Sequence, residues 1–370
     1  MIRTYTYKLY SNKRVETKFN KWLGICRYVY NIAKETKETA HKEGVRLSGY
    51  ALSKQLTEAK KEFTWLTEVN AQTLQGVIEQ LDGSYQNFFS GRAKYPSWAS
   101  KKMWKSFGFK QAGVKDTNPK GTLRQTGKGF ILPKFGEVKV FNNRLIEGSI
   151  KTARLVKKAD GIYLNVTAEV KDKVYCSNEN QVGIDMGITY FAVTSDAEFI
   201  DNPKFLTKQL KKLRVEYRKL SRKFKKDIAV QSNNYYKQAK VVAMLHKNVK
   251  DARKDFLHKH STYFATNYST VIHEDLDIRE MIKSKFSPRI SDIAWGTFFT
   301  MLSYKTNVVK VNPAFTSQTC SVCGHVDEDN RRNQHKFKCT ACGHTENADY
   351  NAAKNILKAG TSAVNGKVEH

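Results

Sequence analysis

No apolar run in this chain approaches the ~18–20 residues that span a bilayer. Nothing at its start has the charged, apolar and small-residue segments of a secretory signal. A soluble, cytoplasmic protein is expected. A P-loop, a GxSxG elbow and an HExxH helix are all missing, which leaves few catalytic routes. No internal repeat is present. Acids are scarce: 35 Asp and Glu face 64 Lys and Arg, for a net charge of +29. Such a chain repels itself unless a polyanion neutralises it, and nucleic acid is the usual one. A ribosome-associated or membrane-surface protein could also be this basic. Of only six cysteines, four cluster near the C-terminus. In a cytosolic chain that points to metal rather than disulfides. Cys26 and Cys176 read as ordinary buried or strand residues.

What is present suits a folded binder. The 370 residues suggest about two to three domains, with ample core. At 40% hydrophobic residues the composition is not that of a disordered chain. The 18 Tyr and 20 Phe supply cores and base-stacking faces.

Residues 2–10 alternate, with Tyr5, Tyr7 and Leu9 on one face, and predict a strand. From Lys13 to Ala40 the period becomes helical, with Phe19, Leu23, Cys26, Val29 and Tyr30 in one stripe. Further helices are expected over 50–63 and 70–89, the second burying Leu74, Val77, Ile78, Leu81 and Tyr85. Short strands follow over 106–111, 129–132, 137–141, 149–155 and 162–170, punctuated by Pro133 and glycines. The first 175 residues therefore read as a β-barrel-like unit, 1–12 with 105–175, interrupted by a helical insertion over 13–104.

Beyond it, an apolar strand ends at Asp185, and 190–194 and 198–200 complete a compact meander. Two heptad seams follow: Leu206, Leu210, Leu213, Tyr217, Leu220 and Phe224, then Val242, Leu245, Val249, Ala252 and Phe256. They predict an antiparallel helical hairpin over 204–260, turning at 231–234. Ten cations on the first helix, Lys211, Arg214, Arg218 and Arg222 among them, oppose only Glu216. A solvated face is the plain reading of such a run; contact with a nucleic-acid backbone is the functional one. A second apolar strand ends at Glu274. A helix follows around Trp295–Tyr304, then a strand over 308–311. The tail from about 360 reads as frayed.

Cys320-x2-Cys323 and Cys339-x2-Cys342 stand 15 residues apart, each pair followed by a glycine. This is zinc-ribbon spacing: four thiolates close a tetrahedral sphere, so the zinc is structural. His325, His335 and His344 read as surface or nucleic-acid-facing residues. Asp185, Glu274 and Asp349 each have a plain reading, as a turn residue, a surface acid and an N-cap. Together, two acids ending apolar strands and a third opening a helix suit a shared Mg²⁺ site. Two such ions, roughly 3.5–4 Å apart, serve phosphodiester hydrolysis.

Four motifs in order, Gly183-Ile184-Asp185-Met186-Gly187, Ile272-His273-Glu274-Asp275-Leu276, Thr316–Gly324 and Asn347–Ala353, resemble TnpB. Arg253–Lys259 and Ser291–Gly296 also fit. TnpB proteins are RNA-guided nucleases of bacterial and archaeal insertion sequences, related to type V CRISPR effectors. The resemblance implies a multidomain α+β chain. A wedge β-barrel (1–12, 105–175) and a helical recognition insertion (13–104) would precede an RNase H-like, RuvC-type nuclease domain (176–312, 345–360). A zinc ribbon (313–344) would be inserted in the latter, and a flexible tail (361–370) would end the chain. It further implies Mg²⁺ on Asp185, Glu274 and Asp349, a guide RNA from the transposon end, double-stranded target DNA, and a monomer working on one RNA. Base pairing would carry specificity. Alignment points to Ser53, Gln72, Gln75, Lys110 and Gln111 as contacts to a short motif beside the target. The chain departs from the family at Thr306-Asn307, where the connection into the next strand is unusually tight. Alternatives are a guide-dependent repressor that does not cleave, an RNase H-fold transposase, and a zinc-ribbon RNA-binding protein. The first loses acids that this chain keeps.

Overall fold

In the computed structural model of the chain, the described residues are 1–110, 123–171, 175–176, 178–226, 228, 230–277, 280–281, 292–331, 333 and 335–365. They fall into two units, 1–172 and 173–370.

In chain order the first unit carries β1 (Ile2–Lys8), α1 (Lys13–Lys42), α2 (Gly49–Glu62), α3 (Ala71–Phe89), β2 (Ser106–Phe109), β3 (Arg124–Thr126), β4 (Gly129–Leu132), β5 (Gly136–Lys139), β6 (Ser149–Lys158) and β7 (Gly161–Glu169). Asn12 starts α1 by accepting the Val15 N–H at 2.9 Å. The expected stripe, together with Trp22, is buried. Trp22 packs on Phe107, Phe109 and Phe135, with ring centroids 5.2–6.1 Å apart, so helix and strands share one core. The antiparallel sheet has the order β1-β7-β6-β2, and β3-β4-β5 form a second sheet. Past β1 the chain runs on to a bridge between Leu9 and Val140, which links the two sheets. β3 is unexpected, being three residues long and too short to show a period. Gln111 lies outside the described residues.

The second unit carries β8 (Gln181–Asp185), β9 (Tyr190–Thr194), β10 (Phe199–Asp201), α4 (Phe205–Lys223), α5 (Asn233–Asn267), β11 (Thr270–Glu274), α6 (Trp295–Ser303), β12 (Asn307–Val311), β13 (Lys336–Lys338), β14 (Thr345–Asn347) and α7 (Ala348–Asn365). Its main sheet has the order β10-β9-β8-β11-β12, antiparallel from β10 to β8 and parallel from β8 to β12. α7 lies directly on β8. A Cβ at Gly183 would sit 2.3 Å from the Ala353 carbonyl oxygen, so only glycine admits this approach.

Three expectations change. The last helix does not fray at 360. It continues to Asn365, and Gly360 is pressed against Ile272 of β11. α5 likewise runs past 260 to Asn267. The heptad seams are only partly buried. Leu213, Val242, Leu245 and Val249 are covered, but Tyr217, Phe224 and Ala252 are exposed, because two helices have a single shared side. The tight Thr306-Asn307 link is fully seated. Thr306 Oγ1 lies 2.8 Å from the Ser269 carbonyl, and β12 starts at once with Asn307 opposite Thr270. No helix among the described residues is long and apolar enough to cross a membrane.

Candidate functional site

The parallel register sets Ile184 opposite His273, so Asp185 and Glu274 end neighbouring strands at the same edge. Asp349 is the second residue of α7, the helix laid on β8. Asp185 senses the other two acids. Burial pushes the Asp185 carboxyl up to about 7, the charges of Glu274 and Asp349 push the same way, and Arg331 opposes them. Burial also raises Glu274 and Asp349, again against the pull of Arg331. Among the described residues, only the four cysteines form a set of three or more potential ligand atoms within 4.8 Å of one another. The carboxylates are spread more widely.

Side chains around the acids hold them in place. Asn347, not Asp349, caps α7: its Oδ1 accepts the N–H groups of Asp349 at 2.9 Å and Tyr350 at 3.1 Å. That frees the Asp349 carboxylate, which takes a hydrogen bond from Arg331 Nη2 at 3.1 Å. The Thr316 hydroxyl donates to Glu274 Oε1. Thr316 is held in turn by α7, where Asn355 Nδ2 donates to the carbonyls of Thr316 (2.9 Å) and Thr319 (2.7 Å). Asn351 donates to Thr319 O at 2.8 Å and accepts the Ser321 N–H at 2.9 Å. His273 stacks on Phe299 at 3.6 Å and fixes the end of β11. Sequence reasoning missed Arg331, Thr316 and the asparagines. Asn347, Asn351 and Asn355 recur every fourth residue, a one-faced polar stripe that was there to be read.

The same loop enters the cysteine cluster. Cys320 Sγ lies 3.7 Å from Cys342 Sγ, and Cys323 Sγ 3.6 Å from Cys339 Sγ. A tetrahedron with ~2.3 Å metal–sulfur bonds has edges of about 3.8 Å, so the four thiols fit one zinc-sized ion. Each knuckle turns through a glycine in the left-handed region, Gly324 at φ 75° and Gly343 at φ 76°. β13 and β14 form a short hairpin beside the cluster. His325, whose side chain is exposed, belongs to no ligand set.

The remaining candidates lie on surfaces. Lys211, Arg214, Arg218 and Arg222 are exposed along α4. In the first unit Ser53 is half-buried on α2 and donates back to Gly49 O. Gln72 is half-buried and Gln75 exposed on α3. Lys110, just past β2, forms an ion pair with Glu79 of α3. It also lines a groove of about 330 Å³ with Thr73 and Gln80.

Residues 165–285 match a family described as "Probable transposase", and 295–356 match the TNB domain of Cas12f1-like proteins. Residues 1–46 match a helix-turn-helix domain, yet here they form one strand and one unbroken helix. InsQ of Escherichia coli (strain K12), whose name assigns it to the RNA-guided DNA endonucleases, is 31% identical over 97% of this chain and 92% of its own length. A Streptomyces pristinaespiralis protein of the same designation is 32% identical over 98% and 90%. The fold resembles that of a Cas12f1 protein solved by cryo-EM with sgRNA and target DNA. Their TM-score is 0.59 at 16% identity, covering 96% of this chain and 98% of that one. With InsQ aligned along nearly its whole length, and with the motifs that carry the acids and cysteines in family order, this chain belongs to the TnpB family.

Proposed function

We propose that the chain is an RNA-guided DNA endonuclease, hydrolysing phosphodiester bonds of a target DNA beside a short adjacent motif. Asp185, Glu274 and Asp349 are its metal-binding carboxylates. The observation that carries the reading is the placing of two acids at the ends of neighbouring parallel strands and a third on the helix laid over them, all three raised by burial, in a chain with net charge +29. Oxygen donors whose charge is disfavoured by burial and mutual repulsion fit a hard cation, and Mg²⁺ is the one proposed. Asp185, Glu274 and Asp349 would hold Mg²⁺, which when bound would supply an activated water and stabilise the leaving oxygen. Arg331 offsets part of the negative charge by pairing with Asp349, Thr316 orients Glu274, and the Asn347 cap spares Asp349 from capping the helix.

The four cysteines hold a structural zinc, and the ribbon they close braces Thr316 through Asn351 and Asn355. The second unit is read as the RuvC-like nuclease domain. In the first, the strands are read as the wedge and α1–α3 as the recognition insertion. The partners are a guide RNA from the transposon end and double-stranded DNA, as the names of the relatives support. The α4 cations lie along nucleic-acid backbone, while Ser53, Gln72, Gln75 and Lys110 contact the adjacent motif; Gln111, expected with them, lies outside the described residues.

The test is cleavage of a plasmid carrying the guide-matched sequence, using protein purified with its RNA. Asp185→Ala abolishes cleavage while RNA binding persists, and elemental analysis finds one zinc per chain. Undiminished cleavage by Asp185→Ala in Mg²⁺ would overturn the assignment of the acids. A zinc-free active protein would overturn the ribbon.

A further inference from the structure

An aromatic hollow of about 720 Å³ opens in the first unit between the C-terminal ends of α1 and α3. That is within the roughly 300–1,000 Å³ of small-ligand sites. Phe89 leaves it 79% exposed, more than any other phenylalanine among the described residues. Its ring stacks beside buried Tyr85, with centroids 6.3 Å apart and planes 24° apart. Tyr95 forms the facing wall, edge-on to Tyr85 at 5.7 Å and to Phe88 at 5.2 Å. This wall is pinned. The Tyr95 hydroxyl donates to Glu38 Oε1 at 2.7 Å, and Glu38, the acid lining the hollow, is engaged by the buried Lys34 ammonium. His41, Lys42 and Arg46 complete the rim.

We propose that this hollow is a stacking site for one unpaired nucleotide of a single-stranded nucleic acid, its base lying on the exposed Phe89 ring with Tyr95 set at a steep angle beside it, and its phosphate toward Lys42 and Arg46. The inference rests on the nucleic-acid reading of the chain and adds a site outside the acid cluster and the α4 face. An exposed ring is costly in water, and an aromatic face accepts any base because every base has a π-face. Inside a duplex those faces are covered by neighbouring bases, so an unpaired position is the one that fits. A basic rim favours a phosphate-bearing ligand over an apolar protein partner.

The experiment uses the full-length protein without Mg²⁺ and a 12-nucleotide single-stranded RNA carrying one 2-aminopurine, read by affinity and fluorescence. Wild type quenches the single-stranded probe, whereas 2-aminopurine inside a duplex, already quenched by its neighbouring bases, shows no further change on adding protein. Phe89→Ala binds roughly 5–30-fold more weakly and loses the quench, and Phe89→Trp keeps both. Phe89 is exposed, so its removal leaves the fold intact, which circular dichroism checks. Equal binding and quenching by wild type and Phe89→Ala overturns the site while leaving the function standing. If Phe89→Ala changes only the elution volume, from dimer to monomer, the patch is a self-association face and the proposal fails. Wild type that binds no single strand at all overturns this proposal; failure to bind its guide RNA as well would take the functional reading with it.

Discussion

Asp185, at the end of β8, is an acid whose charged form the fold disfavours. Its carboxyl is raised to about 7 by burial first and by Glu274 and Asp349 next, against roughly 4 in an unfolded chain. The folded state therefore holds a proton that the unfolded state has lost between about pH 4 and 7. The associated stability is fully present below about pH 4 and is lost as pH rises through 7. In Mg²⁺-free buffer near pH 8, Asp185→Asn should melt higher than wild type, on the order of 5 °C. That gap should close as the pH is lowered toward about 4. Melting curves across this range check it, and a gap that widens on acidification contradicts the sign. Thr316 is the second test. Thr316→Val keeps the shape and removes the donor to Glu274. A roughly 10-fold higher Mg²⁺ requirement is expected, with unchanged melting. Asp185 and Glu274 stood out in the sequence because each ends an apolar run. Arg331 did not, since one arginine among 64 cations carries no local signal.

Among elements, α7 does the most. One face presses on β8 at Gly183 and on β11 at Gly360. Its asparagine stripe grips the Thr316–Ser321 loop, and its first turn presents Asp349. Gly183→Ala should destabilise the second unit by roughly 3 kcal/mol or more, because the new methyl meets backbone that cannot step aside. A denaturant titration measures this, and an unchanged midpoint would show that α7 can lift from β8. The helix periods of α1, α3 and α5 were plain in the sequence, since their apolar stripes recur regularly. The end of α7 was not. Small and polar residues after Gly360 look like a frayed tail, whereas packing of Gly360 on Ile272 and the bond from Thr361 to Gln181 tie the helix to the sheet there.

For the molecule as a whole, the excess of 64 cations over 35 acids governs association. Binding to nucleic acid should weaken steeply with salt. Replacing Arg214 and Arg218 by Gln should make the slope of log affinity against log salt shallower by about 1 for each phosphate that is no longer neutralised. An unchanged slope would mean that α4 faces solvent. Composition alone pointed to a polyanionic partner, because net charge is a sum and needs no coordinates. The cysteine spacing pointed to one metal, because a knuckle is a local turn. The helices and most strands were readable from their periods. The tertiary structure alone decided that β8 and β11 lie side by side in parallel, 89 residues apart at the paired Gln181 and Thr270. It alone settled that Asn347 rather than Asp349 caps α7, and that Arg331 crosses from the cysteine hairpin to the acids. Those are contacts between segments distant in the chain, set by sheet register and packing, and no local pattern encodes them.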